Sequence, residues 1–418
     1  MTKKIAIILS TLIIISVAAK VYFYFREPEY LPINVRYESL IKNYLKSNVS
    51  NIDISDTSDF QGLSFLDSTL SNNEVFLCGE SHSIAKNKEI ELYLLKYFNQ
   101  KGNVRYLLTE QGYGTSVLIN KYLETGDESY LDIIYSKLEE TYSWNKEGYN
   151  FWLDLYKYNN QLPEDKKLIV VGADIEHQTL TAYIALNELL PKENAPNSIA
   201  KNIEYLRNNC NNSEINDIGF AVELSKDLDT YLEDYKAYLK DNFFDFEFIV
   251  NNIINAYKYY HKGTRDDNFR ESCINQNFEK IYSHYPKGKY FGQWGSQHTY
   301  LSNRKEPYGT NNCFATFLNS GFDPTKGKVI SIKYFYKDSK SMTRDKNYGE
   351  KKVKEVKTAS ILDEEAKGDY TLIRFDGEAS PFEYKPFLVS YPNGGVTTDY
   401  YQFAILIKNS PATRPFGE

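Results

Sequence analysis

Six short apolar runs recur along the chain, at Val75–Cys78, Tyr106–Thr109, Leu168–Val171, Lys289–Gly292, Val329–Phe335 and Phe403–Ile407. They are too short for helices, are rich in β-branched and aromatic residues, and several end at Gly or polar residues, the pattern of strands buried on both faces. Between them lie longer stretches whose apolar residues recur every three or four positions, as on one face of a helix. This alternation predicts an α/β fold, a mostly parallel central sheet flanked by helices. From about Thr179 to Lys262 the helical spacing runs on with few glycines, as in Val222-Glu-Leu-Ser-Lys-Asp-Leu-Asp-Thr-Tyr-Leu. It has no sustained heptad, so it reads as a helical insertion capping the site rather than a coiled coil.

The N-terminus follows a different pattern. Lys3 and Lys4 precede an apolar run from Ile5 to Ala19, which resumes from Val21 to Phe25 beyond Lys20. A short positive segment before an apolar stretch is an export signal. Residues 1–26 therefore read either as a cleaved signal peptide or, with Lys20 snorkelling, as a membrane anchor. Both readings put the remaining chain outside the cytoplasm, because Lys3 and Lys4 hold the N-terminus inside. Residues 27–59 are polar and read as a connecting segment, leaving 60–418 as one α/β domain with the insertion at about 179–262.

Composition narrows the partners. With 418 residues, 42% hydrophobic and 25% charged, the chain can bury a large core. A net charge of -7 opposes a broad nucleic-acid footprint, which needs clustered Lys and Arg, so a small-molecule substrate is the expected partner. The 37 Tyr residues are spread over the whole length and read as compositional bias rather than a stacking surface. Cys78, Cys210, Cys273 and Cys313 have no close metal-ligand spacing; two disulfides are open to them, although Cys78 ends an apolar run and reads as a buried, unpaired thiol.

The chemistry-bearing residues gather where such sheets bind ligands, just beyond the carboxyl ends of the strands. The first run leads into Gly79-Glu80-Ser81-His82, the second into Glu110-Gln111-Gly112, the third into Gly172-Ala173-Asp174-Ile175-Glu176-His177, and the fourth into Gly292-Gln293-Trp294-Gly295-Ser296-Gln297-His298. Taken singly, each has a structural reading: a capped turn at Glu80 and His82, a first-turn carboxylate favoured by a helix dipole at Glu110, a loop brace at Asp174 and His177. Four successive strand ends each carrying an ionisable residue favour an active site. Glu80, His82, Glu110, His298 and Arg265 are the catalytic candidates, and Asp174, His177, Gln293 and Trp294 the substrate-contacting ones. No Gly-x-Ser-x-Gly elbow is present, which disfavours an acyl-serine route.

From Val75 to Ile407 the order of these motifs resembles the erythromycin esterase superfamily. Gly79-Glu80-Ser81-His82 is similar to its opening Gly-Glu and His, Glu110 to its second-strand acid, and Gly172 to Asp174 to its Gly-x-Asp. The segments at Leu118 to Asp127 and Ser143 to Asn160, the stretch Arg265-Asp266-Asp267-Asn268-Phe269-Arg270-Glu271, and Gln293 to His298 occupy matching places. The resemblance implies metal-independent hydrolysis of an ester or lactone without a cofactor. His82 would be the base, oriented by Glu80 or Glu110, with His298 stabilising the oxyanion or protonating the leaving group, helped by Arg265. The chain departs from the family in three places. Only Ser81 separates Glu80 from His82, a shorter form similar to haem-uptake lipoproteins and Tiki-type proteases; Ser296 or Gln297 stands where a second His is usual; and Glu91 stands near where an Arg is expected. Two alternatives remain, a haem or other ligand-binding protein and a metal-dependent peptidase, the latter without a His-Glu-x-x-His motif.

Overall fold

A computed structural model describes residues 29–55, 59–212, 215, 218–261, 266–305, 313–345 and 348–417. The strands are β1 (Val49–Asn51), β2 (Val75–Glu80), β3 (Val104–Gly112), β4 (Ile169–Asp174), β5 (Lys289–Gly295), β6 (Val329–Lys337), β7 (Lys340–Met342), β8 (Glu350–Lys352), β9 (Tyr370–Arg374) and β10 (Phe403–Lys408). All six expected runs are strands. Eight of the ten form one sheet in the order β1-β9-β10-β6-β2-β5-β3-β4, while β7 and β8 make a separate hairpin. From β10 to β4 every pairing is parallel; β9 pairs antiparallel with both β10 and β1.

Burial on both faces explains why the central strands read as continuous apolar runs. The side chains of Phe76 on β2, Phe98 on a flanking helix and Phe291 on β5 stack with centroid separations of 4.4 and 5.3 Å. Each is fully buried and contributes about 1.5–3 kcal/mol relative to an exposed ring. Two elements lie where the sequence reads as connecting. Helix α1 (Val35–Asn48) opens on an Asn34 cap, whose Oδ1 accepts from the Tyr37 N–H at 3.2 Å, and leads into β1 at the sheet edge. α1 buries only Ile41, Tyr44 and Leu45, so its apolar stripe is too sparse to stand out in a polar segment.

Helix α2 (Lys86–Gly102) crosses from β2 to β3, and α3 (Tyr113–Thr125), α4 (Ser129–Tyr135) and α5 (Lys146–Asn159) follow β3. The expected insertion is helical: α6 (Thr179–Glu188), α7 (Ala200–Asn209), α8 (Ile218–Thr230), α9 (Leu232–Leu239) and α10 (Phe243–His261). It packs beside α3, where the rings of Tyr113 and Phe248 lie 4.3 Å apart and Tyr113 Oη donates to Asp245 Oδ1 at 2.6 Å. Among the described residues it reaches the cleft described below through Tyr259 and Tyr260. Helix α11 (Asp267–His284) then returns to β5.

The expected N-terminal span from Ile5 to Phe25 lies outside the described residues. Among the described residues no helix is long and apolar enough to cross a membrane, and the membrane-anchor reading is not kept. The two disulfides open to the cysteines do not form: all four thiols are free and buried. Burial in β2 pushes the Cys78 thiol up to about 12, which leaves it protonated and inert.

Candidate active site

The four sequence motifs sit on four neighbouring strands, β2, β5, β3 and β4, and their carboxyl ends open into one cleft of about 410 Å³. Glu80, His82, Glu110, His177, Gln293 and Arg270 all line it. Register places Gly295 beside Glu80 and Trp294 beside Gly79. Gly295 is needed for space, because a Cβ there would come within 3.1 Å of the His82 ring and 3.2 Å of Glu110 Oε2. On β3 the pairing to β4 shifts between Thr109 and Gly112, so an extra residue enters the strand. Such a bulge re-aims side chains, and Thr109, Glu110 and Gln111 all reach the cleft wall despite their alternation along the strand.

Glu80 ends β2 and is gripped from both sides. Its Oε1 pairs with His82 Nδ1, and its Oε2 accepts from Asn87 Nδ2 at 2.5 Å. Asn87 in turn accepts from Tyr336 Oη at 3.0 Å, and the Tyr336 oxygen accepts from the Ser81 N–H at 2.9 Å. Beyond His82 the backbone turns through Ser83, at φ 64°, whose carbonyl accepts from Met342 and Thr413 N–H groups at 3.1 Å each. This turn presents the imidazole edge to solvent, with 44% of the side chain exposed. No hydrogen bond among the described residues reaches Nε2, which faces a cleft already walled by Tyr142, whose ring centroid lies 5.5 Å from that of His82. The Glu80 carboxylate pushes the His82 pKa up to about 9, against burial and the positive charge of His298.

Glu110 is the hub of a second, buried network. Its Oε2 accepts from the Gly295 N–H at 2.6 Å and its Oε1 lies 2.9 Å from Arg270 Nη2 and 3.2 Å from His298 Nε2. Burial would raise its pKa, but His298, His82 and Arg270 outweigh it and hold the carboxyl well below the usual range. His298 has Glu271 Oε1 2.5 Å from Nδ1, and Glu271 Oε2 accepts from the Phe314 N–H at 2.8 Å. Burial would lower the His298 pKa; Glu271 and Glu110 overcome it and keep the ring an imidazolium. Arg270 Nε donates to both oxygens of Asp174, at 3.0 and 3.1 Å, and Asp174 Oδ2 also meets His177 Nε2 at 3.0 Å. His177 Nδ1 then contacts Tyr260 Oη at 2.5 Å.

The structure thus unites Glu80, His82, Glu110 and His298, and it reassigns several expected roles. His298 does not line the cleft; its ring nitrogens lie within ion-pair distance of Glu110 and Glu271, so it sits behind Glu110. Arg265 lies outside the described residues; the arginines that line the cleft are Arg270, which meets Glu110 and Asp174, and Arg344, which lies over the Tyr142 ring at 4.4 Å. Asp174 is fully buried beneath Arg270 and does not reach the cleft, and Trp294 is buried in the core, with its Nε1 donating to the Leu108 carbonyl at 2.9 Å. His177 and Gln293 are on the wall, as expected. Arg270 and Glu271 were within sight in the sequence. The Asp266 side chain accepts from the Asn268 and Phe269 N–H groups, which fixes the start of α11, and the buried Ile274, Phe278 and Ile281 then set an inward face that Arg270 and Glu271 extend by one turn.

Among the described residues no group of three or more His, Cys, Asp or Glu side chains is arranged to hold a metal ion; the carboxylates here are committed to His, Arg and Asn partners. No protein-family model and no curated protein matches the sequence. Solved structures do. A succinoglycan biosynthesis protein superposes with a TM-score of 0.65 at 13% identity, over 91% of this chain and 100% of the other. A Bacillus cereus protein gives 0.63 at 14% identity, over 92% and 100%. A mutant of erythromycin esterase EreC in its open conformation gives 0.56 at 11% identity, over 88% and 99%. With a mostly parallel eight-stranded sheet and its carboxyl edge opening into the cleft, the chain has the fold of erythromycin esterase EreC.

Proposed function

We propose that this cleft is a hydrolytic site that cleaves an ester or lactone by attack of activated water. The observation that carries this reading is the Glu80–His82 dyad: Nδ1 is held by a fixed carboxylate while Nε2 stays open to the cleft. A carboxylate on Nδ1 fixes the tautomer whose Nε2 can take a proton from water, the arrangement a general base requires. The water adds to the carbonyl carbon, its proton passing to His82 Nε2, and the alkoxide leaving group then recovers that proton. The oxyanion needs a cation, and Arg270 supplies it. Nε and Nη2 are engaged with Asp174 and Glu110, while Nη1 has no hydrogen bond among the described residues. Asp174 and Glu110 set the guanidinium plane in advance, so little reorganisation is needed as charge develops. The likeness to an esterase supports the reaction class; at 11% identity it supports no particular substrate.

The test is a panel of esters and lactones assayed by acid release in a pH-stat. Hydrolysis by the native chain that disappears in His82→Ala, with an unchanged circular dichroism spectrum, supports the reading. No hydrolysis of any member at any pH between 6 and 10, or full activity in His82→Ala, overturns it.

A further inference from the structure

Inside the cleft, away from the exposed edge of His82, the wall changes character. Thr109 Oγ1, Gln111 Oε1 and Gln293 Oε1 are all buried, and none has a hydrogen-bond partner. All three residues line the same cleft. A buried polar atom left unpaired costs about 1–3 kcal/mol, so three around one cavity mark a place where hydrogen bonds are made by something other than the protein.

Two of the three orphans are amide oxygens, and the orientation of one is fixed. Gln293 Nε2 donates to Glu91 Oε2 at 3.1 Å, which turns Oε1 of the same amide away as an acceptor. Lys88 Nζ also reaches Glu91 Oε2, at 2.5 Å, so both donors fall on one oxygen and no hydrogen bond among the described residues reaches Oε1. Glu91 is itself buried, 3% exposed, on the cleft wall. The wall here therefore offers two amide oxygens, a carboxyl oxygen and a hydroxyl, an acceptor-rich set that calls for a ligand rich in donors. A hydrocarbon would leave every one of these groups unpaired. An anion here would meet the Glu91 carboxyl and two carbonyl dipoles, and Lys88, the cation on this part of the wall, is already paired with Glu91. Hydroxyl groups fit, because each donates one hydrogen bond and remains neutral.

Resting on the hydrolytic reading, we propose that Thr109, Gln111, Gln293 and Glu91 form a subsite for the polyhydroxylated part of the substrate, so that the ester cleaved is one borne by a sugar or a similar polyol. A site built to hydrogen-bond hydroxyls rejects analogues that lack them more strongly than an apolar pocket rejects an extra hydroxyl.

The experiment has two arms. In the first, kcat/KM is compared for 6-O-acetylglucose and hexyl acetate, which share the acetyl group and a primary-alcohol leaving group. The native chain should prefer the sugar ester by at least tenfold, chiefly through KM. Gln293→Met and Gln111→Met should each reduce that preference severalfold, with melting curves confirming the fold. In the second arm, binding of free glucose and its deoxy analogues to His82→Ala is followed by saturation-transfer NMR, which needs no catalysis. Glucose should give saturation transfer, and one or more deoxy analogues should lose it. Equal kcat/KM for the two esters, with no glucose binding to His82→Ala, overturns the subsite while leaving hydrolysis standing. Glucose binding without hydrolysis of any ester overturns the hydrolytic reading and leaves the subsite standing.

Discussion

The two edges of the main sheet both carry a cavity, and the two differ in how their charged groups are partnered. At the amino ends of the strands a groove of about 550 Å³ is lined by Arg105, Lys166, Lys287, Lys289 and Lys328, with Glu74 and Asp165. At the carboxyl ends the cleft is about 410 Å³. In the groove the cations are paired with neutral oxygens: Arg105 Nε with the Lys167 carbonyl at 2.9 Å, Lys166 Nζ with Asn103 Oδ1 at 2.8 Å, and Lys289 Nζ with the Leu70 carbonyl. These bonds finish the ends of strands and loops. In the cleft, charged groups are packed against one another, His82 on Glu80 and Glu110 between Arg270 and His298, so each resets the proton affinity of the next. Interacting charges with shifted proton affinities concentrate at the carboxyl edge, where parallel sheets of this kind bind ligands.

The largest effect that would break this contrast lies at His82. Loss of a general base removes about 100- to 10,000-fold of rate, so His82→Ala should fall in that range when steady-state hydrolysis is measured. Because Glu80 acts through His82, the Glu80→Gln plus His82→Ala double variant should be little slower than the worse single variant. Strictly multiplicative losses would mean that the two side chains do separate jobs.

Next comes Arg270, which touches both Glu110 and Asp174. Arg270→Met leaves the fully buried Asp174 without its guanidinium, and breaking a buried pair from one side costs about 3–5 kcal/mol. Urea unfolding should show that loss. The same variant should lower kcat by about 100- to 1,000-fold if the free Nη1 serves the oxyanion. Lost stability with unchanged kcat would confine Arg270 to bracing the site.

The pH dependence should be smaller in amplitude and specific in sign. A base must be deprotonated, so the rate rises with pH through the His82 pKa, which Glu80 holds above its ordinary 6.5 and up to about 9. With 44% of the ring exposed, solvent screens part of this attraction, and the midpoint of the kcat/KM profile should fall between those two values. Glu80→Gln removes the negative charge and should move the midpoint down towards 6.5, together with a lower plateau. A rate that falls through this window instead would make the imidazolium, as an acid, the working form.

How far the sequence exposes this contrast depends on how local each signal is. The six parallel strands were legible because burial on both faces makes them continuous apolar runs, and Glu80, His82 and Glu110 because they follow those runs directly. β1 spans only Val49–Asn51, too few residues for a pattern, and β9 pairs antiparallel after a long irregular stretch, so both were invisible. That Arg270 faces the site turned on helix phase, which becomes readable only once Asp266 is recognised as the cap. That His298 points at Glu110 and Glu271 rather than into the cleft is a tertiary fact: Glu271 lies on α11 and His298 just beyond β5, and only packing of one on the other brings them within ion-pair distance.

The smallest expected effect is on the other edge, and it is the control on which the comparison rests. Lys287 and Lys328 are exposed at the groove, and the bond of Lys328 Nζ to the Pro324 carbonyl, at 3.5 Å, is long and weak. Replacing either by Gln removes a cation without uncovering a buried partner, and surface changes of that kind stay within about 0.5 kcal/mol. Lys328→Gln and Lys287→Gln should therefore melt like the native chain and hydrolyse the same ester at the same kcat/KM. His284→Gln belongs in the same set, since that ring stacks on Phe244 at 3.7 Å, away from every strand end that lines the cleft. If the groove served the reaction, as an anion site that draws substrate to the protein, the lysine variants would lower kcat/KM and the loss would shrink as salt is raised, because screened charges steer less. A salt-dependent loss would place function on both edges of the sheet; a null result at every ionic strength confines it to the carboxyl edge.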